Sequence, residues 1–264
     1  MKLAKAPFSA GGLGKTAGTE LGPDRITAEL DNIFVNEAGR ELKFEIEQIK
    51  VNNANIEESN QSIFGYVREQ HAPLIVIGGD HSITYPSFKA FAEKFPNAGM
   101  LVLDAHPDLM EPTGSQTHED YLRKLIDDKI LKPENLIIVG IRNPFTAELD
   151  YIRQMKIKCY ASKSLYEVGM EESVNGIMSV AKDFPGLYLS IDIDILDPAF
   201  APGTGYAEPG GMSTRELLYL IQRVSKLKNL QMADIVEINP KLDVNGMTSK
   251  AAAKCIAEIN FVSQ

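Results

Sequence analysis

Residues 101–109 read LVLDAHPDL. An apolar run gives way to Asp104, His106 and Asp108, three metal-capable side chains at every second position. The apolar half has the pattern of a strand covered on both faces, apolar at successive rather than alternate positions. Its acidic end lies where such a strand runs out. In open α/β sheets, ligands bind outside the carboxyl ends of the strands.

Working outward, more short runs of the same kind appear. PLIVIGG (73–79), MLVLDAH (100–106), NLIIVGI (135–141), GLYLSIDID (186–194), MADIVEIN (232–239) and LKFEIEQIKV (42–51) read as strands, with MKLAKA (1–6) and KIKCYA (156–161) as weaker ones. Between them, residues 23–39, 57–70, 85–95, 119–128 and 213–226 carry apolar residues at helical spacing. Strands alternating with helices predict an α/β fold with a mostly parallel sheet covered on both faces. No repeat or linker interrupts it, so residues 1–264 read as a single domain.

The bulk properties narrow the function. A net charge of −9 without a basic run argues against nucleic acid and anionic membranes, and suits a cationic substrate. Cys159 and Cys255 are far apart and outside any metal-ligand spacing, which points to a reducing compartment. No apolar stretch exceeds strand length, and the N-terminus has no continuous apolar core of a signal peptide. A cytoplasmic location is expected.

The acidic ending of residues 101–109 recurs. PLIVIGG runs into Asp80, His81 and Ser82; GLYLSIDID ends in Asp192 and Asp194; MADIVEIN ends in Glu237 beside Asn239. Side chains two apart on a strand point the same way, so Asp104 and His106 are expected to converge, as are Asp192 and Asp194. One acid at a strand end is ordinarily a turn or cap residue. Four strand ends delivering acids and histidines to one sheet edge form a site. His81 and His106 fall in these clusters and His118 follows the second; His71 has no acidic neighbours in sequence and reads as a surface residue. Two imidazoles and four carboxylates suit two divalent cations, manganese rather than zinc. A water between two such ions loses a proton near neutral pH and becomes a nucleophile. The residues thus describe a binuclear metallohydrolase. GGLGKTAG (11–18) contains the Gly-Lys-Thr of a phosphate-binding loop, but Ser9 stands where its first glycine belongs and AGTELGP (17–23) is no helix, so nucleotide binding is rejected.

GGDHS (78–82), DAHPD (104–108), SIDIDILDPAFAPGTGYAEPGG (190–211) and DIVEINPKLD (234–243) together resemble the ureohydrolase family of arginases and agmatinases. The APFSAGG and ELGPDRI segments are similar to that family's N-terminal loop. The resemblance implies a three-layer α/β/α fold with an eight-stranded parallel sheet and two Mn2+ ions per chain. It implies hydrolysis of a guanidino compound to an amine and urea by metal-bound hydroxide. By the same resemblance, one ion takes His81, Asp104, Asp108 and Asp192, and the other takes His106, Asp104, Asp192 and Asp194. Asp104 and Asp192 bridge, Asp108 relays a proton, Glu237 binds the guanidinium, and His118 shuttles protons at the substrate. A homo-oligomer, trimer or hexamer, is also implied.

Three departures bear on the substrate. Glu119 replaces the family's glycine after the loop histidine. Tyr206–Ala207 replace Thr-Pro. GIRNPF (140–145) offers Asn143 and Phe145 where arginases have an acid. The spacing from Asp104 to His118 is the short one associated with agmatinases, so agmatine is the expected substrate. Arginase or formimidoylglutamase activity on the same fold is the alternative. A non-catalytic metal- or amine-binding relative and a zinc deacetylase explain fewer of these residues.

Overall fold

The computed structural model describes residues 1–71 and 73–261. Eight strands alternate with helices: β1 (Lys2–Ala6), β2 (Glu45–Gln48), β3 (Leu74–Gly78), β4 (Gly99–Leu103), β5 (Leu136–Ile141), β6 (Lys158–Ala161), β7 (Leu187–Asp192) and β8 (Leu230–Val236). They form one sheet in the order β2-β1-β3-β8-β7-β4-β5-β6. Every pairing is parallel. The helices are α1 (Gly22–Leu30), α2 (Ile56–Glu69), α3 (Thr84–Lys94), α4 (Tyr121–Asp127), α5 (Thr146–Met155), α6 (Ser162–Val168), α7 (Met170–Ala181), α8 (Thr214–Val224) and α9 (Met247–Glu258).

The strand pleat sorts the core into two layers. Ile75, Ile77, Leu101, Leu103, Leu189 and Ile191 face one side, where they pack on α1 and α6–α9 through residues such as Ile26, Val174, Leu217 and Ala252. Leu74, Val76, Met100, Val102 and Tyr188 face the other, against Ile63, Phe88, Leu122 and Ile152 of α2–α5. This is the expected three-layer α/β/α fold. β3, β8, β7 and β4 are the central strands, and they carry the acidic and histidine-bearing ends.

Three expectations need correction. The helix expected over 23–39 ends at Leu30. Beyond it the Asn36 carboxamide accepts from the Ala38 and Arg40 backbone N–H groups and turns the chain. Phe34 and Val35, apolar at helical spacing, stay exposed. The first long strand candidate is paired only over Glu45–Gln48. Four helices were not anticipated: α5, α6, α7 and α9. α9 is the clearest case. Thr248, Ser249, Ala251–Ala253, Cys255 and Ala257 are buried around most of its circumference, so no polar face sets a helical period.

Candidate metal centre

The convergence of acids at the strand ends comes from turns, not from the pleat. β4 stops at Leu103 and β7 at Asp192. Asp104 Oδ1 accepts from the His106 backbone N–H at 2.6 Å, and Asp192 Oδ1 accepts from the Asp194 N–H at 2.9 Å. Asp80 repeats the device with Ser82 N–H at 3.0 Å. These side-chain-to-backbone bonds two residues on are the turn-forming habit of aspartate. Asp194 Oδ1 is likewise spent on the Ala105 N–H at 3.0 Å. In Asp104, Asp192 and Asp194 Oδ1 builds the loop and Oδ2 faces the site, where Asp108 Oδ2 joins them.

Those second oxygens surround two imidazole nitrogens. His81 Nδ1 lies 3.1 Å from Asp104 Oδ2, 3.3 Å from Asp108 Oδ2 and 3.2 Å from Asp192 Oδ2. His106 Nδ1 lies 2.9 Å from Asp194 Oδ2 and 3.6 Å from Asp104 Oδ1. Asp104 belongs to both groups, and His81, Asp104 and Asp192 on one side and His106, Asp104 and Asp194 on the other are each compact enough to hold a cation; Asp108 stands beside the first. One nitrogen cannot aim a proton at three oxygens, and His81 Nδ1 and Asp104 Oδ2 are left buried without an aligned hydrogen bond. Buried polar atoms without partners are uncommon and need an explanation. The donor set of nitrogen and oxygen fits divalent cations.

The electrostatics agree. Burial, with the Asp104 charge beside it, pushes the Asp108 carboxyl up to about 8. Burial and the neighbouring Asp194 and Asp104 charges raise Asp192 well above the carboxylate range. Burial would lower the pKa of His106, but hydrogen bonds to Asp104 and Asp194 outweigh it and carry the imidazole up to about 12. Asp104 moves the other way: burial would raise it, but the close contacts and charges of the His106 and His81 imidazoles hold it below its ordinary value. The cluster therefore holds protons where a cation would serve better.

A hydroxyl network orients His81. Ser190 Oγ donates to Asp234 Oδ1 at 2.7 Å and lies 2.8 Å from His81 Nε2. Having spent its proton, Ser190 accepts from Nε2–H, which leaves the Nδ1 lone pair facing the carboxylates. Tyr121 OH lies 2.9 Å from the same Nε2. Tyr188 and Thr84 hydroxyls donate to Asp234 Oδ2 at 2.6 and 2.7 Å. Asp234, Ser190 and Tyr121 had no assigned role; the available signal was an aspartate in the middle of an apolar strand.

Glu237 closes the floor. Its Oε1 accepts from the His81 backbone N–H at 2.8 Å and lies 3.2 Å from His118 Nδ1, while its Oε2 is buried without a partner among the described residues. Burial would lower the pKa of His118, but the Glu237 hydrogen bond and charge push it up to about 9. Asp108 and Glu237 adopt left-handed backbone at φ 51° and 65°. Such conformations cost of order 1–3 kcal/mol for a side-chain-bearing residue and cluster at functional sites. Gly79 is required nearby because a Cβ there would sit 1.8 Å from the Phe8 carbonyl oxygen.

His81, His106, Asp108, His118, Asp192, Asp194, Thr204, Tyr206 and Glu237 enclose a cavity of about 20 Å³. A cavity of about 630 Å³ between Met1, Arg40 and Phe261 lies at the opposite end of the strands and brings together no such ligand set. Among the residues singled out from sequence, Asn239 stays outside the site, holding the Ala17 carbonyl and the Lys241 N–H. Thr113 and Ser115 are exposed, Gln116 is buried, and none lines the cavity. His71 is exposed, as expected. The Gly-Lys-Thr segment forms a turn rather than the start of a helix. No helix among the described residues is long and apolar enough to cross a membrane.

The comparisons with known proteins agree with this geometry. The Arginase family profile matches residues 1–261. Proclavaminate amidinohydrolase from Streptomyces clavuligerus is 35% identical over 208 residues, 77% of this chain and 66% of that protein. Agmatinase from Bacillus cereus is 32% identical over 92% of this chain and 84% of its own. The crystal structure of formimidoylglutamase from Bacillus subtilis superposes with a TM-score of 0.92 at 27% identity, covering 98% of this chain and 85% of that one. With the profile spanning nearly every residue and the fold matched over 98% of the chain, the chain belongs to the arginase family, the ureohydrolases, hydrolases that act on guanidino groups.

Proposed function

We propose that this ureohydrolase uses two manganese ions to cleave a decarboxylated guanidine, agmatine the best candidate, to an amine and urea. The observation that carries the reading is the set of carboxylate oxygens aimed at two imidazole nitrogens. His81, Asp104, Asp108 and Asp192 would hold one ion; His106, Asp104, Asp192 and Asp194 would hold the other, with Asp104 and Asp192 shared. When bound, the ions supply Lewis acidity, lowering the pKa of an adjacent water and stabilising charge in the transition state.

The chain's own residues do the rest. The free Oε2 of Glu237 accepts an N–H of the guanidinium, and its charge fixes the cation in place. Water adds to the guanidinium carbon, the bond to the alkyl nitrogen breaks, and both water protons leave the oxygen that becomes the urea carbonyl: one must reach the departing nitrogen, and the second turns the free amine to ammonium or passes to solvent. Asp108 faces the cavity and relays the first. His118, between Glu237 and the mouth, restores the proton balance with solvent. His118→Ala is expected to lower kcat by about 10²-fold, the low end for general acid–base residues because water can replace a group so near the mouth. Metal content should be unchanged. The wild-type kcat should fall above about pH 9, where His118 loses its proton, and the variant should lack that limb. An unchanged kcat in the variant would remove His118 from the mechanism.

The substrate reading rests on what the cavity offers. Its lining is acids, histidines, Thr204 and Tyr206, and Lys15 at the mouth is already paired with Glu119. Arg142 is committed to the carbonyls of Asp194, Leu196 and Glu208. Asn143 is tied to Glu208 at 2.6 Å. An amino-acid head would lose its hydration without replacement partners. Urea release from manganese-loaded protein should show kcat/KM for agmatine at least ~10²-fold above L-arginine. A preference for arginine would overturn this and point to the hydroxyl and amide groups of the loop before His118, Thr113, Ser115, Gln116 and Thr117, as the clamp for an amino-acid head.

A further inference from the structure

Two of the residues that depart from the family pattern touch each other at the mouth of the site. Tyr206 OH donates to Glu119 Oε1 at 3.0 Å. Lys15, from the turn that mimics a phosphate-binding loop, donates to the same oxygen at 3.1 Å. Its ammonium also stands 5.5 Å from the centroid of the Tyr206 ring. That ring packs against both catalytic-side imidazoles, 5.3 Å from His106 and 5.8 Å from His118 between centroids. The 20 Å³ left beneath it has room for about one water, so a substrate enters only if Tyr206 swings aside.

The charges say what the opened mouth would accept. His118 spans two carboxylates: Glu237 Oε1 lies 3.2 Å from its Nδ1, and Glu119 Oε1 lies 3.9 Å from its Nε2. A guanidinium on Glu237 with a short alkyl chain leading outward brings the far end of that chain to Glu119. Lys15 and Tyr206 both donate to Oε1, and no hydrogen bond engages Glu119 Oε2 among the described residues. Lys15 is the more exposed partner, with 55% of its side chain accessible against 27% for Glu119, so it can leave without opening the core. A substrate ammonium then replaces a lysine ammonium, and the charge at Glu119 stays balanced. A substrate carboxylate at the same place would face Glu119 as a like charge.

We propose that Glu119 is the specificity-determining residue of this enzyme: it receives the distal ammonium of a guanidine with a short alkyl chain, a place that Lys15 fills in the closed form beneath the Tyr206 cover. The inference rests on the guanidine hydrolysis proposed above. It is tested on the manganese-loaded protein with three substrates that differ only at the far end: agmatine (ammonium), butylguanidine (neutral) and guanidinobutyrate (carboxylate). Glu119→Gln should raise KM for agmatine relative to butylguanidine by about 10- to 100-fold, the weight of a charge-assisted contact. Glu119→Asp should restore part of that ratio. Lys15→Met should lower the relative KM for agmatine several-fold, because it removes the competing cation. A Glu119→Gln effect equal for agmatine and butylguanidine would reduce Glu119 to a structural part of the rim and overturn the proposal. So would a Lys15→Met variant that selectively loses guanidinobutyrate, which would make Lys15 the reader of an anionic tail. Wild-type protein that hydrolyses none of the three would instead overturn the guanidine reading itself, and this inference with it.

Discussion

Asp192→Asn is expected to remove ions and turnover together, with kcat/KM falling by ~10³–10⁵-fold, because loss of a metal forfeits several kcal/mol of transition-state stabilisation. The substitution separates function from folding. Asparagine keeps an oxygen that accepts from the Asp194 N–H, so the turn after β7 survives. It replaces Oδ2 with an amide that cannot ligate a cation. His106→Ala should give the same paired loss. Metal analysis and urea release measured on the same samples check it; chelated wild-type protein with full turnover would end the two-metal reading.

With manganese present, stability should fall along with activity in the variant. Manganese at about 100 times its Kd stabilises the wild-type fold by about 2.7 kcal/mol per ion, and the variant gains less from it. Without ions the order reverses, because the substitution deletes a carboxylate that its neighbours destabilise. The pH dependence of chelated protein follows from the same crowding. Asp108 is raised from 3.8 to about 8, so its contribution is complete below pH 3.8 and fades as pH rises through 8. His106 is raised from 6.5 to about 12, so the folded state also holds that proton where the unfolded chain has lost it. Asp104, lowered from 3.8, is ionised in both states over this range and adds no slope of its own. Chelated protein should therefore melt at lower temperature at pH 9 than at pH 6, and added manganese should narrow the gap, since ions replace the protons. A chelated protein that grows more stable over that range would contradict the crowding argument.

The residues of the candidate metal centre were legible in sequence because they lie within a few positions of strand ends and most share one local device. The geometry behind them was legible only in part. Asp104 and His106 converge because the aspartate side chain caps a turn, whereas alternation along a strand had suggested the same outcome for a different reason. The mouth was least legible. Glu119 and Tyr206 stood out as departures, but nothing local tells that they meet, and Lys15 is 104 residues from Glu119. Its Gly-Lys-Thr setting advertised a different chemistry. Tertiary packing of three loops creates that contact, and no periodicity encodes it. The hydroxyls around Asp234 were hidden for a related reason: Ser190 and Tyr121 are unremarkable residue types until the fold places them on His81.

Glu237→Gln is expected to cost about 3–5 kcal/mol, ~10²–10⁴-fold in kcat/KM, the usual loss when one member of a buried charge pair is neutralised. Glutamine is the informative replacement. Its carbonyl oxygen can still accept the His81 backbone N–H that Glu237 now satisfies at 2.8 Å, so that buried donor is not orphaned. An alanine would orphan it and confuse folding with catalysis. What glutamine removes is the negative charge beneath the guanidinium, and it turns one acceptor into a donor aimed at the substrate's own N–H. His118, held up to about 9 first against burial by its Glu237 contact, should also fall toward the ordinary imidazole range, moving the alkaline limb of kcat downward. Because every guanidine presents the same head to Glu237, agmatine, arginine and butylguanidine should lose in equal proportion. Glu119→Gln should change the ratio between substrates and Glu237→Gln should leave it alone. A Glu237→Gln loss confined to one substrate would place that residue on the tail side of the site and exchange the two roles.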